Sequence, residues 1–151
     1  IYFKESDTLS SGNKVTIAKT DFGKVGIGIC YDIRFPELAK LMAEAGAQIL
    51  FYPGAFNMTT GPAHWELTFR SRALDNQVYC VGVAPALNKD ASYHSYGHSI
   101  IANPWGEVIV QLDEQENMEI AEIDLEEIKR VRTELPLLKN KRSDLYKINL
   151  I

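Results

Sequence analysis

The chain has 151 residues, 46% apolar and 24% charged, with a net charge of −4. This composition supports a globular chain with a real core and excludes a disordered one. The mild acidity leaves no footprint for nucleic acid or an anionic membrane surface, and no apolar run approaches the ~18 residues of a membrane span.

Two cysteines, Cys30 and Cys80, do not make a disulfide framework; as free thiols they fit a reducing compartment, which predicts a cytoplasmic protein. The opening Ile1-Tyr-Phe-Lys-Glu-Ser has neither an initiator methionine nor a charged-then-apolar leader. The chain is therefore expected to be the back part of something longer, whose front could have carried a mitochondrial presequence.

In chain order, a polar, turn-rich stretch over residues 4–13 precedes a short strand at Val15-Thr-Ile-Ala18. The turn Asp21-Phe22-Gly23 leads into a strand over residues 24–29. There Val25, Ile27 and Ile29 alternate with Gly26 and Gly28, so one face is bulky and the other admits close backbone approach. That strand delivers Cys30 to a sharp turn. Pro36 suits the first turn of a helix, and Leu38, Leu41, Met42 and Ala45 recur at helical spacing until Gly46 stops it. Residues 48–52 form an apolar run bounded by Gly46 and Pro53, a buried strand parallel to the one before. Strand, helix and strand make a βαβ unit whose ligand site lies beyond the carboxyl ends of the strands.

Residues 54–62 form a loop at that same end. Phe56, Asn57, Thr59 and Thr60 can line a pocket there. A helix is predicted over 64–76, a dense strand over 77–84, and a loop over 85–96 long enough to cover a site. Residues 98–102 and 107–112 read as a hairpin closed by Asn103-Pro-Trp-Gly106. Residues 113–119 look like an exposed turn, and a capping pattern at Asp124-Leu-Glu-Glu127 starts a helix over 125–134 that Pro136 ends.

A thiol at a strand end, close to a helix start, can lose its proton more readily and have its acyl oxyanion stabilised by backbone N–H groups. Cys30 is in that position, whereas Cys80, in mid-strand, reads as a buried structural thiol. The ordinary alternative for Cys30 is also structural. His64, His94 and His98 offer a Cys–His pair, yet each fits a bland role at a helix start, in a loop or at a strand start. Glu5 precedes a turn and could face the cleft, although a solvated glutamate is the ordinary state of that residue type. The planar fork of Arg34 suits a substrate carboxylate, against an ion pair with Asp32 or Glu37. Arg70 and Arg72 with Asp75 read as a helix-borne salt-bridge network. No metal-ligand spacing and no phosphate-cradling glycine loop occurs, so neither a metal nor another cofactor is predicted.

Six blocks in this order resemble the nitrilase superfamily of carbon–nitrogen hydrolases, and within it the Nit-type omega-amidase branch. They are Gly28-Ile-Cys-Tyr-Asp-Ile-Arg-Phe-Pro-Glu37, Tyr52-Pro-Gly-Ala-Phe-Asn57, Thr60-Gly-Pro-Ala-His-Trp-Glu66, Arg70-Ser-Arg-Ala-Leu-Asp-Asn76, Gly97-His-Ser99 and Asn103-Pro-Trp-Gly106. The resemblance runs over residues 3–146. It implies an α/β fold, the nitrilase-like α-β-β-α sandwich, partial here because the N-terminal portion is absent. Residues 1–151 would then be the C-terminal portion of a single carbon–nitrogen hydrolase domain, in a family whose members pair as dimers.

The resemblance also implies a Glu–Lys–Cys triad in which the cysteine attacks an amide carbon, the glutamate is the base and the lysine stabilises the oxyanion. Cys30 matches the nucleophile, Tyr31 would lend its backbone N–H to the oxyanion hole, and Glu5 matches a further glutamate beside the cysteine. The base and the lysine fall ahead of Ile1 in the family pattern, and Lys4 does not occupy the lysine's motif. The 151-residue chain by itself is thus expected to be inactive or nearly so.

The implied activity is hydrolysis of the terminal amide of short dicarboxylate monoamides, such as 2-oxoglutaramate and 2-oxosuccinamate, through a thioester. Arg34 would hold the substrate carboxylate, with Phe56 and Thr60 shaping the acyl pocket. A sister amidase acting on deaminated glutathione or a carbamoyl amine is the alternative. A catalytically silent dimerisation module and a Cys–His hydrolase are the others. The expected partners are a small-molecule amide and a second copy of the chain, with no nucleic acid and no membrane.

Overall fold

Alternating apolar side chains assemble a six-stranded sheet in the order β1 (Thr16–Thr20), β2 (Gly23–Ile27), β3 (Ile49–Pro53), β4 (Tyr79–Val83), β5 (Ile100–Ala102) and β6 (Val108–Gln111). The computed structural model describes residues 5–150, Glu5 through its backbone alone. Parallel pairing joins β2 to β3 and β3 to β4, with antiparallel pairing at both edges. The two parallel steps are made by helices, α1 (Pro36–Glu44) and α2 (Gly61–Asn76), as parallel neighbours require.

The period of two in the strands sorts residues to opposite faces. Leu50, Tyr52, Cys80 and Ala102 turn toward Met42 and Ala43 of α1 and Trp65, Phe69 and Ala73 of α2. Met42, Leu50, Trp65 and Phe69 are each 1% exposed or less, and burial of such side chains contributes about 2–3 kcal/mol apiece. The other face carries Val25, Ile49, Tyr79 and Val81, packed by Ile128 of α3 (Glu126–Glu134).

Just ahead of α3, Asp124 Oδ1 accepts the Glu126 N–H at 2.9 Å. Glu127 then accepts from the Tyr79 hydroxyl and from Asn103 Nδ2, pinning the helix to β4 and to the hairpin turn. Asn103 closes that turn, its Oδ1 accepting the N–H groups of Trp105 and Glu107.

Beyond shifts of one or two residues at element ends, such as β2 closing at Ile27 instead of residue 29, the structure differs from the pattern reading in two places. α2 begins at Gly61, three residues earlier, because Pro62 sits in the first turn, where no N–H is needed. Cys30 and α1 are also separated by a 3-10 turn, Cys30–Arg34, that carries no apolar periodicity of its own.

Candidate active site

β2 pairs only as far as Ile27, but the chain stays extended: Gly28 donates to Phe51 O at 3.0 Å, and Ile29 lies at φ −126°, ψ 124°. Cys30 then takes φ +47°, a left-handed conformation that costs a non-glycine residue about 1–3 kcal/mol and persists only where the surroundings enforce it. Those surroundings are visible. Asp32 Oδ2 accepts the Ile29 N–H at 2.8 Å while Ile29 O accepts the Asp32 N–H at 3.0 Å, a reciprocal pair that closes the turn.

Two glycines let neighbouring chain approach the turn. A Cβ on Gly28 would stand 2.4 Å from the Tyr52 ring, and one on Gly54 would stand 2.8 Å from Cys30 Cα. Gly54 is the first residue after β3, so the backs of two strand ends meet at the cysteine. The Cys30 thiol is half-buried and lies 3.9 Å from Ala55 O. The site is thus beyond the carboxyl ends of β2 and β3, where the βαβ pattern puts it.

Arg34 closes the same turn. Its guanidinium lies 4.4 Å from the Phe56 ring centroid and 5.5 Å from that of Tyr31, with Nη1 3.3 Å from His64 Nδ1. It pairs with neither Asp32 nor Glu37. Phe56 is itself backed by Trp65, edge-to-face at 5.0 Å, whose Nε1–H donates to His98 O at 2.6 Å. Two aromatic walls and an imidazole nitrogen therefore hold a cation at the mouth of the turn.

Asn57 Oδ1 accepts the Thr59 and Thr60 N–H groups and the Thr60 hydroxyl, at 2.9–3.1 Å, so the Asn57 carboxamide organises the entry to α2. Thr60 precedes Gly61 at the start of α2, its hydroxyl donating to Asn57 Oδ1. The loop over 85–96 does reach the site: Tyr93 donates its hydroxyl to Ala55 O at 2.6 Å, and Tyr96 N–H bonds Phe56 O at 2.8 Å. Glu5 opens a short 3-10 turn, Glu5–Asp7; its side chain lies outside the described residues.

His98 stacks on Tyr96 with ring centroids 3.8 Å apart, and His94 Nε2 lies 3.2 Å from Lys89 O. With His64 beside Arg34, no histidine nitrogen among the described residues hydrogen-bonds the Cys30 thiol. Among the described residues no group of three or more His, Cys, Asp or Glu is placed to hold a metal ion, and no helix is long and apolar enough to cross a membrane.

A sequence profile of the carbon-nitrogen hydrolase family matches residues 2–133. The chain belongs to the carbon-nitrogen hydrolase family. Omega-amidase NIT2 of Danio rerio is 53% identical over 151 residues, covering 100% of this chain and 54% of that protein. Omega-amidase NIT2 of Homo sapiens is 50% identical over 150 residues, 99% of this chain and again 54% of its own length. The chain spans about half the length of the curated relatives it matches.

Among solved structures, Saccharomyces cerevisiae Nit3, of branch 10 of the nitrilase superfamily, has a TM-score of 0.87 at 52% identity, over 91% of this chain and 51% of that one. The C. elegans NitFhit protein has a TM-score of 0.94 at 39% identity, over 100% of this chain and 37% of that one. The mixed α/β fold of this chain is therefore the nitrilase-type fold that the motifs imply.

Pattern reading missed two groups at the site. Gly54 is an ordinary post-proline glycine in the sequence, and its need to lack a Cβ comes from Cys30, 24 positions earlier in the turn after a different strand. Arg72 reads as part of a helix-borne salt-bridge network with Asp75, a pair that the structure keeps at 3.9 Å, but its burial escapes that reading. Its spacing from Trp65, Phe69, Ala73 and Asn76, all buried, is the signal that puts it on the inner face of α2.

Proposed function

We propose that the protein is an omega-amidase, hydrolysing the terminal amide of short dicarboxylate monoamides to the acid and ammonia. The carrying observation is the pairing on one five-residue turn of a strained, half-buried cysteine with a cation held over aromatic rings. The 53% identity to omega-amidase NIT2 supports the same reading.

In this reading the Cys30 thiolate attacks the amide carbon, and its S–C bond forms as the C=O electrons move to oxygen. The Tyr31 N–H donates to that oxyanion. Collapse breaks the C–N bond, the nitrogen leaves as ammonia after taking a proton, and water then cleaves the thioester to the acid. The Arg34 guanidinium holds the distal carboxylate, with Phe56 and Thr60 bounding the acyl chain. The mechanism needs a general base and a cationic oxyanion donor, roles that the resemblance gives to a glutamate and a lysine ahead of Ile1, with Glu5 as a further carboxylate. A cytoplasmic homodimer belongs to the same reading, on the free thiols and the resemblance respectively.

The test uses the protein expressed from its full coding sequence. Turnover of 2-oxoglutaramate is compared with that of deaminated glutathione, a carbamoyl amine and an uncharged amide of equal length. The reading expects 2-oxoglutaramate to be preferred, and Arg34→Ala to raise its KM by on the order of 10² while sparing the uncharged amide. Equal turnover of charged and uncharged amides, or an unchanged KM, contradicts it.

A further inference from the structure

One arginine of α2 reaches out of its helix into the far end of the Cys30 turn. Arg72 is buried, and its Nε donates to Ile33 O at 2.8 Å while Nη2 donates to Arg34 O at 3.2 Å. The carboxylate it pairs with, Asp75, is 3.9 Å away and 55% exposed, so water screens that attraction. The guanidinium is therefore held in the interior chiefly by two backbone carbonyls. They belong to the last residues of a 3-10 turn, where C=O groups lack partners within the helix.

The turn is fixed at both ends. At its start, the Ile29–Asp32 pair and the Gly54 backbone force Cys30 into the left-handed region. At its finish, the buried Ile33 side chain sets the depth of the turn, and the two Arg72 bonds set its rotation. A rigid fork can grip two successive carbonyls where an ammonium grips one. Without the fork, the strain at Cys30 can relax by rolling the turn, which moves the thiol and the Arg34 head together.

We infer that Arg72 is a positioning residue: by holding the carbonyls of Ile33 and Arg34 it keeps the Cys30 thiol and the Arg34 guanidinium aimed at one substrate. The inference takes its substrate from the amidase reading, but its test reads the thiol without any amide.

In the protein expressed from its full coding sequence, Cys30 is alkylated with iodoacetate and with iodoacetamide, and the labelled peptide is located by mass spectrometry. Cys80, fully buried, reports folding, because only an unfolded chain exposes it. The wild type is expected to favour the anionic reagent over the neutral one, relative to free cysteine, by about tenfold, through the nearby guanidinium. Arg34→Ala abolishes this preference as the control. Arg72→Met is expected to bring it to within about twofold of free cysteine while Cys80 stays unlabelled, and Arg72→Lys to fall between.

If Arg72→Met exposes Cys80, Arg72→Lys decides: a reduced ratio supports positioning and a wild-type ratio overturns it. A wild type with no preference, or a folded Arg72→Met with the wild-type ratio, also overturns it. A protein that shows these ratios yet hydrolyses none of the amides refutes the amidase reading while supporting the role of Arg72.

Discussion

One cysteine opens the turn that follows β2 and the other lies in the middle of β4, with β3 between the two strands. Cys80 faces Leu50 and Ala102 across the ladder, is fully buried, and has its thiol pushed up by burial. Cys30 is half-buried at φ +47° beyond the last ladder pair. In mid-strand the neighbouring N–H and C=O groups are engaged by the ladder, so none is left to meet an anion. At a strand end the reversal frees them. The same side chain is thus filler in one place and a candidate nucleophile in the other, and backbone position makes the difference.

The sharpest break of this comparison is to delete each sulfur in turn. Cys30→Ala is expected to lower amide turnover by on the order of 10⁴ to 10⁶, while Cys80→Ala costs about 1–2 kcal/mol of stability and leaves kcat within a few-fold. Steady-state kinetics and urea melts separate the two. Loss of turnover in Cys80→Ala without loss of fold would undo the contrast.

A gentler change keeps both sulfurs and moves one backbone. Gly54→Ala introduces a methyl 2.8 Å from Cys30 Cα, so two strand ends must part. The expected result is a fall in kcat of about 10². Gly12→Ala, with open space around its Cβ, is the control and leaves kcat unchanged.

The smallest effect concerns the sheet interior, where Tyr79 shares the fate of Cys80. Burial first, and then the hydrogen bond to Glu127, raise the Tyr79 pKa well above its ordinary 10.0. Burial likewise raises Cys80 above 9.0. Above those ordinary values an unfolded chain loses protons that the folded chain keeps, so it binds fewer protons and the unfolding free energy falls with pH. The stabilisation from both groups is complete at neutral pH and is lost on going into the alkaline range. Tyr79→Phe should cost about 1 kcal/mol at neutral pH and flatten the decline above about pH 10, as read by thermal melts across that range. An equally steep decline in the variant would remove Tyr79 from the account.

Much of the fold was legible because its signals are local. Pro36 at the start of α1 and the Asn103-Pro-Trp-Gly106 turn formed as read, and the glycine-spaced strand formed with its end at Ile27, two residues short of the reading. The site was legible in outline, since a strand end followed by a helix start places Cys30 and Arg34 on one turn. What escaped were contacts between distant parts of the chain: Gly54 behind Cys30, Tyr93 on Ala55, and Arg72 under the carbonyls of Ile33 and Arg34. Periodicity says which face of a helix is buried, but not that an arginine on that face will find two unpaired carbonyls.

The central claim is that the sulfur of Cys30 becomes covalently attached to the acyl group of the substrate. The protein is acid-quenched during turnover of 2-oxoglutaramate, digested and mapped by mass spectrometry. The account predicts an acyl adduct on the Cys30 peptide that decays with turnover, and none on the Cys80 peptide. Full activity with no adduct at Cys30, or an adduct at another residue, would contradict it.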